Sequence, residues 1–540
     1  MIRKTFLLFL FSFYIIPNVC FSQQWTRKYF LYRENFPNNV LESYDKGYVI
    51  SGCFSQYGVP TWGLLIKTDV NGNMRWFKSI GQQGDGTLID YSDQCADGGL
   101  ILAGGTRQLG SWTDPLFLKI NKCGIKEWCK IYHVNDPDKY WDSWAQRIYQ
   151  LPDGGYISLV IGYGNDIINK RLWLFRLDSL GEAIWIKYYQ KSDTLMINDY
   201  AYNMMVSNDF HVIISGVCDY PQPGTTLYWP RPLLVKTDSS GTIDWDLVWG
   251  KNWPYYVWAG ELSQSVVAFK GSVYSSGLID SAGRNCVMYK TSVSGNEIYH
   301  KIIMDSGEFG GAGTIDWLQD STLVVTGGWG NLTIQTEGAF KTDTLGNILK
   351  IKELNHENSL FVDGKTTFNN KLILVSGYDT VISGTYHYMT SAWKINSDLE
   401  FDSVYTRPFV YDSLCPDSIV SDTIPLDCEV LDIEEPFNNP DKSHLRIYPN
   451  PASEMLTIEI PEYLITTSSL SLFNVKTVRY QWTSADLEAY DLNGKRVFQK
   501  KVPKGEKKVE VNVASWQPGM YMFRLIYGNI AVDSEKVIIQ

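Results

Sequence analysis

Aromatic side chains concentrated in two short segments are the residues best suited to chemistry in this sequence. The segments read Tyr140-Trp141-Asp142-Ser143-Trp144 and Trp253-Pro254-Tyr255-Tyr256-Val257-Trp258. Exposed rings stack on the apolar faces of sugars, while nearby amides or carboxylates fix the hydroxyl groups. Packing inside the fold is the alternative use for each ring, and it stays open. The candidate ligand-binding residues are Trp141, Trp144, Trp253, Tyr255, Tyr256 and Trp258.

No catalytic motif accompanies these rings. The sequence contains no Gly-x-Ser-x-Gly, no His-Glu-x-x-His and no phosphate-binding loop. Its six histidines show no metal-ligand spacing, and there is no Cys-x-x-Cys. A carboxylate pair for glycoside hydrolysis is defined by geometry, so sequence alone does not reveal one. We therefore predict no catalytic residue, no metal and no cofactor, and favour binding over catalysis.

Length and composition indicate a globular, β-rich chain of two or three domains. The 540 residues are 44% hydrophobic and 20% charged, a balance that excludes a mostly disordered chain. Aromatic residues make up 14%, and 44 glycines supply turns between strands. The formal net charge is −11 and no basic block is present, which argues against nucleic acid as a partner.

The first residues are typical of a secretory signal peptide. Arg3 and Lys4 precede an apolar run over residues 6–16, which is too short to span a bilayer. Cleavage is predicted after Ser22, so residues 1–22 are assigned to the signal. No later apolar run is long enough for a transmembrane helix.

Export permits disulfides between the eight cysteines that remain after cleavage. Cys123 and Cys129 flank one turn, and Cys415 and Cys428 share one acidic stretch, so these are the two plausible pairs. The other four cysteines are expected to be buried as small hydrophobic residues.

An internal repeat predicts the fold of the first 400 residues. The unit is apolar-apolar-Lys-x-Asp-x-x-Gly-x-x-x-Trp, as in residues 65–76, and a turn leading to a short apolar run that ends in Gly precedes each copy. Asp and Gly at these positions favour a type I turn with Gly at positive φ. Six copies keep the glycine and a seventh, at residues 394–398, has lost it; the glycines are Gly72, Gly124, Gly181, Gly241, Gly295 and Gly346.

Four short strands in roughly 50–60 residues, repeated seven times, predict a seven-bladed β-propeller over residues 23–406. Residues 25–30 look like an eighth outer strand, which we expect to complete the seventh blade and displace residues 401–405 to an edge. The repeat resembles the Asp-box of sialidase-like propellers and the tryptophan-docking repeat of quinoprotein-like propellers. In both families the repeat is structural, so its Asp and Trp residues are interpreted as blade packing.

Composition changes after residue 406. Residues 407–443 combine acidic side chains with prolines and predict an extended linker. Residues 444–540 then alternate strand-like segments with turns, including Asn493-Gly494, and predict a small antiparallel β-sandwich. The whole chain is accordingly predicted to be all-β.

The C-terminal segment resembles the sorting domain of type IX secretion substrates. The resemblance rests on Tyr448-Pro449-Asn450-Pro451-Ala452, Asp491-Leu492-Asn493-Gly494-Lys495, Gly519-Met520-Tyr521 and the terminal strand with Lys536. It implies export by the Sec and type IX machinery to the exterior of the outer membrane. It also implies removal of this domain, with the passenger released or attached to surface lipopolysaccharide. Residues 466–486 look like an insertion into the family pattern.

Together these observations predict a secreted or surface-anchored propeller that binds a glycan or a protein partner. The alternatives are a polysaccharide-degrading hydrolase or lyase on the same scaffold, and a structural component of adhesion. Convergent carboxylates in the centre of the propeller would favour the enzyme, because acid–base chemistry needs them.

Overall fold

A computed structural model describes most of the chain after residue 23, and every regular element in that part is a β-strand. The described residues are 24–540 except 56–60, 83, 111–112, 135–141, 164–169, 190–198, 208–209, 222–227, 251–264, 281–283, 306–308, 331–334, 356–358, 408–414, 416–417, 434–444, 461–483, 492–494, 504–505 and 528–529.

Strands that follow each other in sequence pair antiparallel in groups of four, as the repeat predicts. Each repeat supplies one inner strand, two middle strands and one outer strand. The groups are β2 (Glu34–Glu42), β3 (Tyr48–Ser55), β4 (Trp62–Thr68) and β5 (Met74–Ile80); β6 (Leu88–Gln94), β7 (Leu100–Thr106), β8 (Asp114–Ile120) and β9 (Lys126–Val134); β10 (Asp142–Gln150), β11 (Tyr156–Tyr163), β12 (Lys170–Leu177) and β13 (Ala183–Tyr189); β14 (Asp199–Val206), β15 (Val212–Pro221), β16 (Tyr228–Thr237) and β17 (Ile243–Val248); β18 (Ser265–Phe269), β19 (Ser272–Asp280), β20 (Arg284–Ser292) and β21 (Glu297–Asp305); β22 (Phe309–Trp317), β23 (Leu323–Gly330), β24 (Gln335–Thr342) and β25 (Ile348–Asn355); and β26 (Ser359–Thr366), β27 (Leu372–Ile382), β28 (Thr385–Ile395) and the N-terminal β1 (Thr26–Tyr29).

The N-terminal strand closes the ring, as predicted. β1 pairs antiparallel with β28, so the first described residues supply the outer strand of the last sheet. Ser403 bridges to Gln24 and Phe401 bridges to Ile395, which places residues 401–405 at the edge. β2 in turn contacts β26 and β27. The first and last sheets of the propeller-like body are therefore joined to each other, so the ring of sheets is closed.

The repeated turns have the predicted geometry. Asp69 Oδ1 accepts hydrogen bonds from the backbone N–H groups of Asn71 and Asn73, both at 2.8 Å. The glycines of six copies have φ between 73° and 84°. In the degenerate seventh copy Leu399 occupies this left-handed position with φ 58°. Its side chain is fully buried, so packing offsets the unfavourable backbone.

The repeated tryptophans dock on the turn of the following sheet, which confirms that they serve packing. The indole N–H of Trp25 donates to the Val70 carbonyl at 2.9 Å, and that of Trp245 donates to the Val293 carbonyl at 3.0 Å. The ring of Trp25 leaves no room at Gly72, where a Cβ would lie 2.6 Å from its Cζ2. Glycine is therefore needed both for the turn and for the docking.

The predicted acidic linker differs from expectation, because part of it is a strap on the propeller. β29 (Asp422–Ile424) pairs parallel with the outer strand β5, and β30 (Glu429–Ile433) pairs parallel with β9. Lys78 pairs with Asp422 at 2.6 Å and Lys130 with Glu429 at 2.5 Å. The acidic side chains thus meet lysines of the outer strands instead of holding a free linker extended.

The disulfide pairing differs from the prediction in the same region. Cys123 bonds to Cys415 and Cys129 bonds to Cys428, each across nearly 300 residues. Sequence proximity was misleading, because β30 runs beside β9 and brings the distant cysteines together. Of the other four cysteines, Cys95, Cys218 and Cys286 are buried and Cys53 is half-buried, which agrees with their predicted packing role.

The C-terminal domain consists of two antiparallel sheets over a shared hydrophobic core. The core contains fully buried Leu456, Val509 and Phe523. Residues 466–483 of the insertion lie outside the described residues. One sheet contains β31 (Arg446–Tyr448), β32 (Met455–Glu459) and β35 (Lys508–Asn512); the other contains β33 (Ser484–Tyr490), β34 (Arg496–Pro503), β36 (Gly519–Tyr527) and β37 (Ile530–Ile539).

Within the described residues, no helix is long and apolar enough to cross a membrane.

Candidate functional site

The inner strands line a central channel. The first strand of each sheet contacts the first strand of the next, from β2 through β6, β10, β14, β18 and β22 to β26, and β26 contacts β2. We call the end at which these strands begin the upper face and the end with the tight repeated turns the lower face. Val248 and Ser265, which precede and follow the predicted ligand-binding segment 253–258, both lie at the upper face.

A β-bulge recurs near the upper end of the inner strands. The extra residue is Asn38 in β2, Asp90 in β6, Gln146 in β10 and Tyr202 in β14. A bulge turns a carbonyl out of the ladder and re-aims side chains, and it recurs beside functional sites in many proteins. Here it places a polar or aromatic residue at the same depth in four neighbouring sheets.

On three of the inner strands an aromatic residue lies two residues above the bulge. Phe36, Trp144 and Tyr200 occupy equivalent positions, opposite Cys53, Ile161 and Val217 on the second strands. All three rings are half-buried. We call these three residues the mouth aromatics. Their partial exposure at one end of a channel is what stacking against a sugar requires.

Trp144 is the one predicted ligand-binding residue that the structure describes. Its indole N–H donates a hydrogen bond to Gln146 Oε1 at 3.0 Å, which orients the ring beside the bulge. Trp141, Trp253, Tyr255, Tyr256 and Trp258 lie outside the described residues. Phe36 and Tyr200 were missed by the sequence analysis, because neither belongs to a conspicuous aromatic run.

A second group of aromatic side chains, which stack on one another, lies at the upper face of the first sheet. Tyr32, Phe54 and Trp62 form a ladder with interplanar angles of 10° and 9° and centroid distances of 3.7 and 5.2 Å. Phe54 in the middle is buried, while Tyr32 and Trp62 are half-buried. Phe36 stacks on Tyr388 at 4.7 Å. These contacts fix the orientation of the rings that surround the mouth.

Several polar side chains of the inner strands form hydrogen bonds to the next inner strand. Asp363 Oδ2 accepts from the Val40 N–H at 3.0 Å, and Asp93 Oδ2 accepts from the Gln150 N–H at 3.3 Å. Asp316 Oδ2 accepts from the Thr366 hydroxyl at 2.6 Å. Each contact runs from one sheet to the following sheet, so these carboxylates have a structural use.

Three charged or titratable groups of the channel form no ion pair among the described residues, although Arg147 Nε donates to Asn203 Oδ1 on the next inner strand. Asp90 makes no hydrogen bond in the described part of the chain, and its Oδ2 is buried. Among the described residues, Arg147 and Lys365 have no ion-pair partner; Arg147 contacts Asn203 Oδ1 at 3.4 Å and lies over the Tyr91 ring at 4.9 Å. The Lys365 side chain is exposed to solvent. We call Asp90, Arg147 and Lys365 the channel triad.

The electrostatics of the channel follow from the burial of carboxyl groups beside cationic side chains. Burial raises the pKa of Asp90 to about 7, against the opposing effect of Arg147. Burial also raises the pKa of Asp93 to about 6. The Asp316 carboxylate is the main cause of a raised pKa at Lys365. At neutral pH the lysine is therefore charged, while Asp90 is divided between its acid and its carboxylate form.

Carboxylates of the channel are the functional candidates that sequence reasoning missed. The sequence feature that indicates the position of the bulge is the glycine that ends each apolar run. A Cβ at Gly52, Gly104 or Gly216 would lie 2.0 Å from a carbonyl oxygen of the adjacent inner strand, so the glycine marks the bulge.

No group of three His, Cys, Asp or Glu side chains among the described residues is arranged to hold a metal ion.

The sorting motif forms a clip on the last strand. Asn450 Nδ2 donates to the Lys536 carbonyl at 2.8 Å, and Asn450 Oδ1 accepts from the Ile538 N–H at 2.9 Å. The peptide bonds before Pro449 and Pro451 are cis. Tyr448 is exposed, and its hydroxyl donates a hydrogen bond to Glu459 Oε1 at 2.8 Å. The start and the end of the domain are thus brought together by residues of one short motif.

The other motif residues serve turns and core. Asp491 Oδ1 accepts from the Lys495 N–H at 2.9 Å in the turn between β33 and β34, while Gly494 lies outside the described residues. The Tyr521 hydroxyl donates to the Gln517 carbonyl at 2.8 Å, and Gly519 begins β36 opposite Ile539.

Comparisons with solved structures return propeller-containing proteins at low similarity. An ulvan lyase of a polysaccharide lyase family has 8% identity and a TM-score of 0.46, covering 69% of this chain and 96% of its own. The polysaccharide lyase Uly1 has 8% identity and a TM-score of 0.45, covering 67% and 90%. A subtype N11 neuraminidase-like protein of A/flat-faced bat/Peru/033/2010 has 10% identity and a TM-score of 0.32, covering 72% and 96%. Similarity at this level says nothing about the activity of this chain.

No curated protein sequence matches the chain. Residues 446–540, however, match the family described as the secretion system C-terminal sorting domain. The match covers the two-sheet domain with its Tyr448–Pro451 clip and its terminal strand. The chain therefore carries the sorting domain of type IX secretion substrates, and it is exported to the cell surface or the extracellular space.

Proposed function

We propose that the exported propeller binds a saccharide at the upper mouth of its central channel. The observation that carries this proposal is the set of mouth aromatics, Phe36, Trp144 and Tyr200, at one depth of three inner strands. Half-buried rings offer flat apolar surface to sugar C–H groups, and the bulge residues beneath them, Asn38, Gln146 and Tyr202, have amide and phenol groups suited to sugar hydroxyls. The segments that contain Trp141, Trp253, Tyr255, Tyr256 and Trp258 would extend this surface.

The test is retention of the full exported chain on a panel of immobilised polysaccharides, scored together with release of reducing ends. Trp144→Ala should weaken retention at least tenfold. Trp317→Ala is the matched control, because this exposed tryptophan lies at the lower end of β22 and stacks on Phe269 at 5.3 Å. Equal retention of wild type and Trp144→Ala on every polysaccharide would reject the mouth as the binding site.

Polysaccharide cleavage is the second candidate, and Asp90 favours it. A carboxyl group with a pKa of about 7 is suited to general acid–base catalysis near neutral pH. Release of reducing ends by wild type, and its loss in Asp90→Asn with retention unchanged, would establish catalysis. Retention without release supports a binding module.

Recognition by the export machinery is proposed to use the clip on the last strand. Tyr448 and Ile538 are exposed beside Asn450, so this end of the domain presents apolar surface next to Lys536. After export, attachment of the passenger to surface lipopolysaccharide is the expected alternative to its release. Asn450→Ala should lower the amount of chain on the cell surface, measured with an antibody on intact cells, without lowering the total amount.

A further inference from the structure

The channel triad is a candidate site below the mouth aromatics. Its three members come from β6, β10 and β26, which are widely separated in sequence and are three of the strands that line the channel. The polar side chains around them, such as Asp363, Asp93 and Asp316, already bond the next inner strand. Among the described residues Asp90 and Lys365 make no such bond, and Arg147 makes one through its Nε, to Asn203 Oδ1 at 3.4 Å.

Neither cation of the triad has an ion-pair partner in the part of the chain that the structure describes. Arg147 and Lys365 both act on the common neighbour Asp363, whose pKa they lower against the larger effect of burial. Asp363 itself is held by Val40 and Asn39, so it is not free to reorient towards either cation. The guanidinium and the ammonium group thus keep donors available for an acceptor from outside the chain.

Asp90, the third member of the triad, needs a hydrogen-bond donor, whereas the two cations need an acceptor. Asp90 has one buried oxygen with no hydrogen bond, and a hydroxyl or amide donor would satisfy it. A molecule that offers an anionic group together with hydroxyl groups would satisfy all three residues at once. Among extracellular compounds, a saccharide that carries a carboxylate or a sulfate has this combination.

We propose that the central channel binds the anionic group of an acidic saccharide through Arg147 and Lys365, with a sugar hydroxyl donating to Asp90. The proposal rests on the proposed saccharide binding at the mouth and specifies its substrate class. The mouth aromatics hold the neighbouring sugar ring, and the triad selects for charge.

Binding of an anion is expected to be coupled to proton uptake. The groups that face Asp90 are Arg147 from β10 and Cys53 from β3, and those that face Lys365 are Asp316, Tyr149, Asp93 and Asp363. A bound anion favours the protonated forms of Asp90 and Asp93, which burial already favours. Affinity should therefore rise as the pH falls from 8 to 6, where both carboxyls acquire protons.

The experiment is calorimetric binding of oligogalacturonate, an alginate oligomer and a chondroitin sulfate oligomer to the full exported chain, each beside its neutral form. The neutral forms are carboxyl-reduced and, for chondroitin, also desulfated. We expect at least one acidic oligomer to bind tenfold more tightly than its neutral form at pH 6, and at least threefold more tightly at pH 6 than at pH 8. Measurements in two buffers of different ionisation enthalpy should show proton uptake.

Variants locate the effect. Lys365→Met and Arg147→Gln should each remove the preference for the acidic form, whereas Lys350→Met on the outer strand β25 should keep it. The comparison of acidic and neutral ligands on wild type needs no variant, so a misfolded variant does not decide the outcome. Equal, pH-independent binding of both forms overturns the charge selection but leaves saccharide binding standing. Failure of every acidic and neutral saccharide to bind overturns both.

Discussion

The carbonyl oxygen of Leu88 lies so close to Gly104 that a Cβ at position 104 would be 2.0 Å from it. This contact exists because Asp90 is an extra residue in β6, and the bulge pushes the preceding carbonyl towards the second strand. The same distance of 2.0 Å separates Gly52 from the Phe36 carbonyl and Gly216 from the Tyr200 carbonyl. A glycine that looks like part of a strand motif is thus a requirement of the channel architecture.

Gly104→Ala should therefore destabilise the protein by about 2–4 kcal/mol, because a Cβ cannot be placed without moving the Leu88 backbone. Chemical denaturation of the full chain measures this change. Gly154→Ala is the useful comparison, since a Cβ there meets no atom of the described residues within 4 Å, while the φ of 84° is unfavourable for alanine. Equal losses for the two variants would contradict the role assigned to the bulge.

Closure of the ring by β1 makes a second prediction. Trp25 is 1% exposed and packs on Gly72, so Trp25→Ala should cost about 3–5 kcal/mol and lower Tm by many degrees. Deletion of residues 23–31 should have at least as large an effect. Phe368→Ala is the control, because this ring is 71% exposed. An unchanged melting curve after the deletion would show that β1 does not close the propeller.

The strap predicts a dependence on disulfides. Loss of Cys123–Cys415 and Cys129–Cys428 frees residues 415–433 from the outer strands, so the Cys415→Ser, Cys428→Ser double variant should lower stability by about 2–5 kcal/mol. Limited proteolysis should then cut near β29 and β30 first. Addition of reductant to the variant should change nothing further. A variant as resistant to protease as wild type would mean that strand pairing alone holds the strap.

Titration of Asp90 predicts how stability depends on pH. Burial raises its pKa to about 7 from the ordinary value of 3.8, so between these values the folded state binds more protons than the unfolded state. The contribution of Asp90 to the free energy of unfolding is therefore greatest at acid pH. It decreases as the pH rises towards 7, by at most about 1.4 kcal/mol per pH unit. Asp90→Asn should flatten that slope. Asp379→Asn, which changes an exposed carboxylate, should retain it, and retention by Asp90→Asn as well would contradict the assignment.

The sequence was sufficient for the repeating architecture because the repeat is local. The Asp69 cap, the positive φ of Gly72 and the docking of Trp25 are encoded within a few residues of each other or in an obvious copy. The Tyr448–Pro451 motif was equally visible, because its residues are contiguous.

The channel and the strap were not predictable for the opposite reason. Asp90, Arg147 and Lys365 share no motif, and only the closed ring makes them neighbours. Cys129 and Cys428 pair because β30 adds to β9 in parallel, a long-range contact with no sequence signal. Phe36 and Tyr200 became comparable with Trp144 only when the bulges gave their strands a common register.

Hydroxyl-radical footprinting of the full exported chain tests the central claim most directly. The saccharide retained best in the panel would be added at saturation, and oxidation of individual side chains would be followed by mass spectrometry. Protection of Phe36, Trp144 and Tyr200, with Trp317 and Phe368 oxidised as in the free protein, is the result that saccharide binding at the upper mouth predicts. Protection confined to other surfaces, with Trp144 oxidised as before, would contradict it.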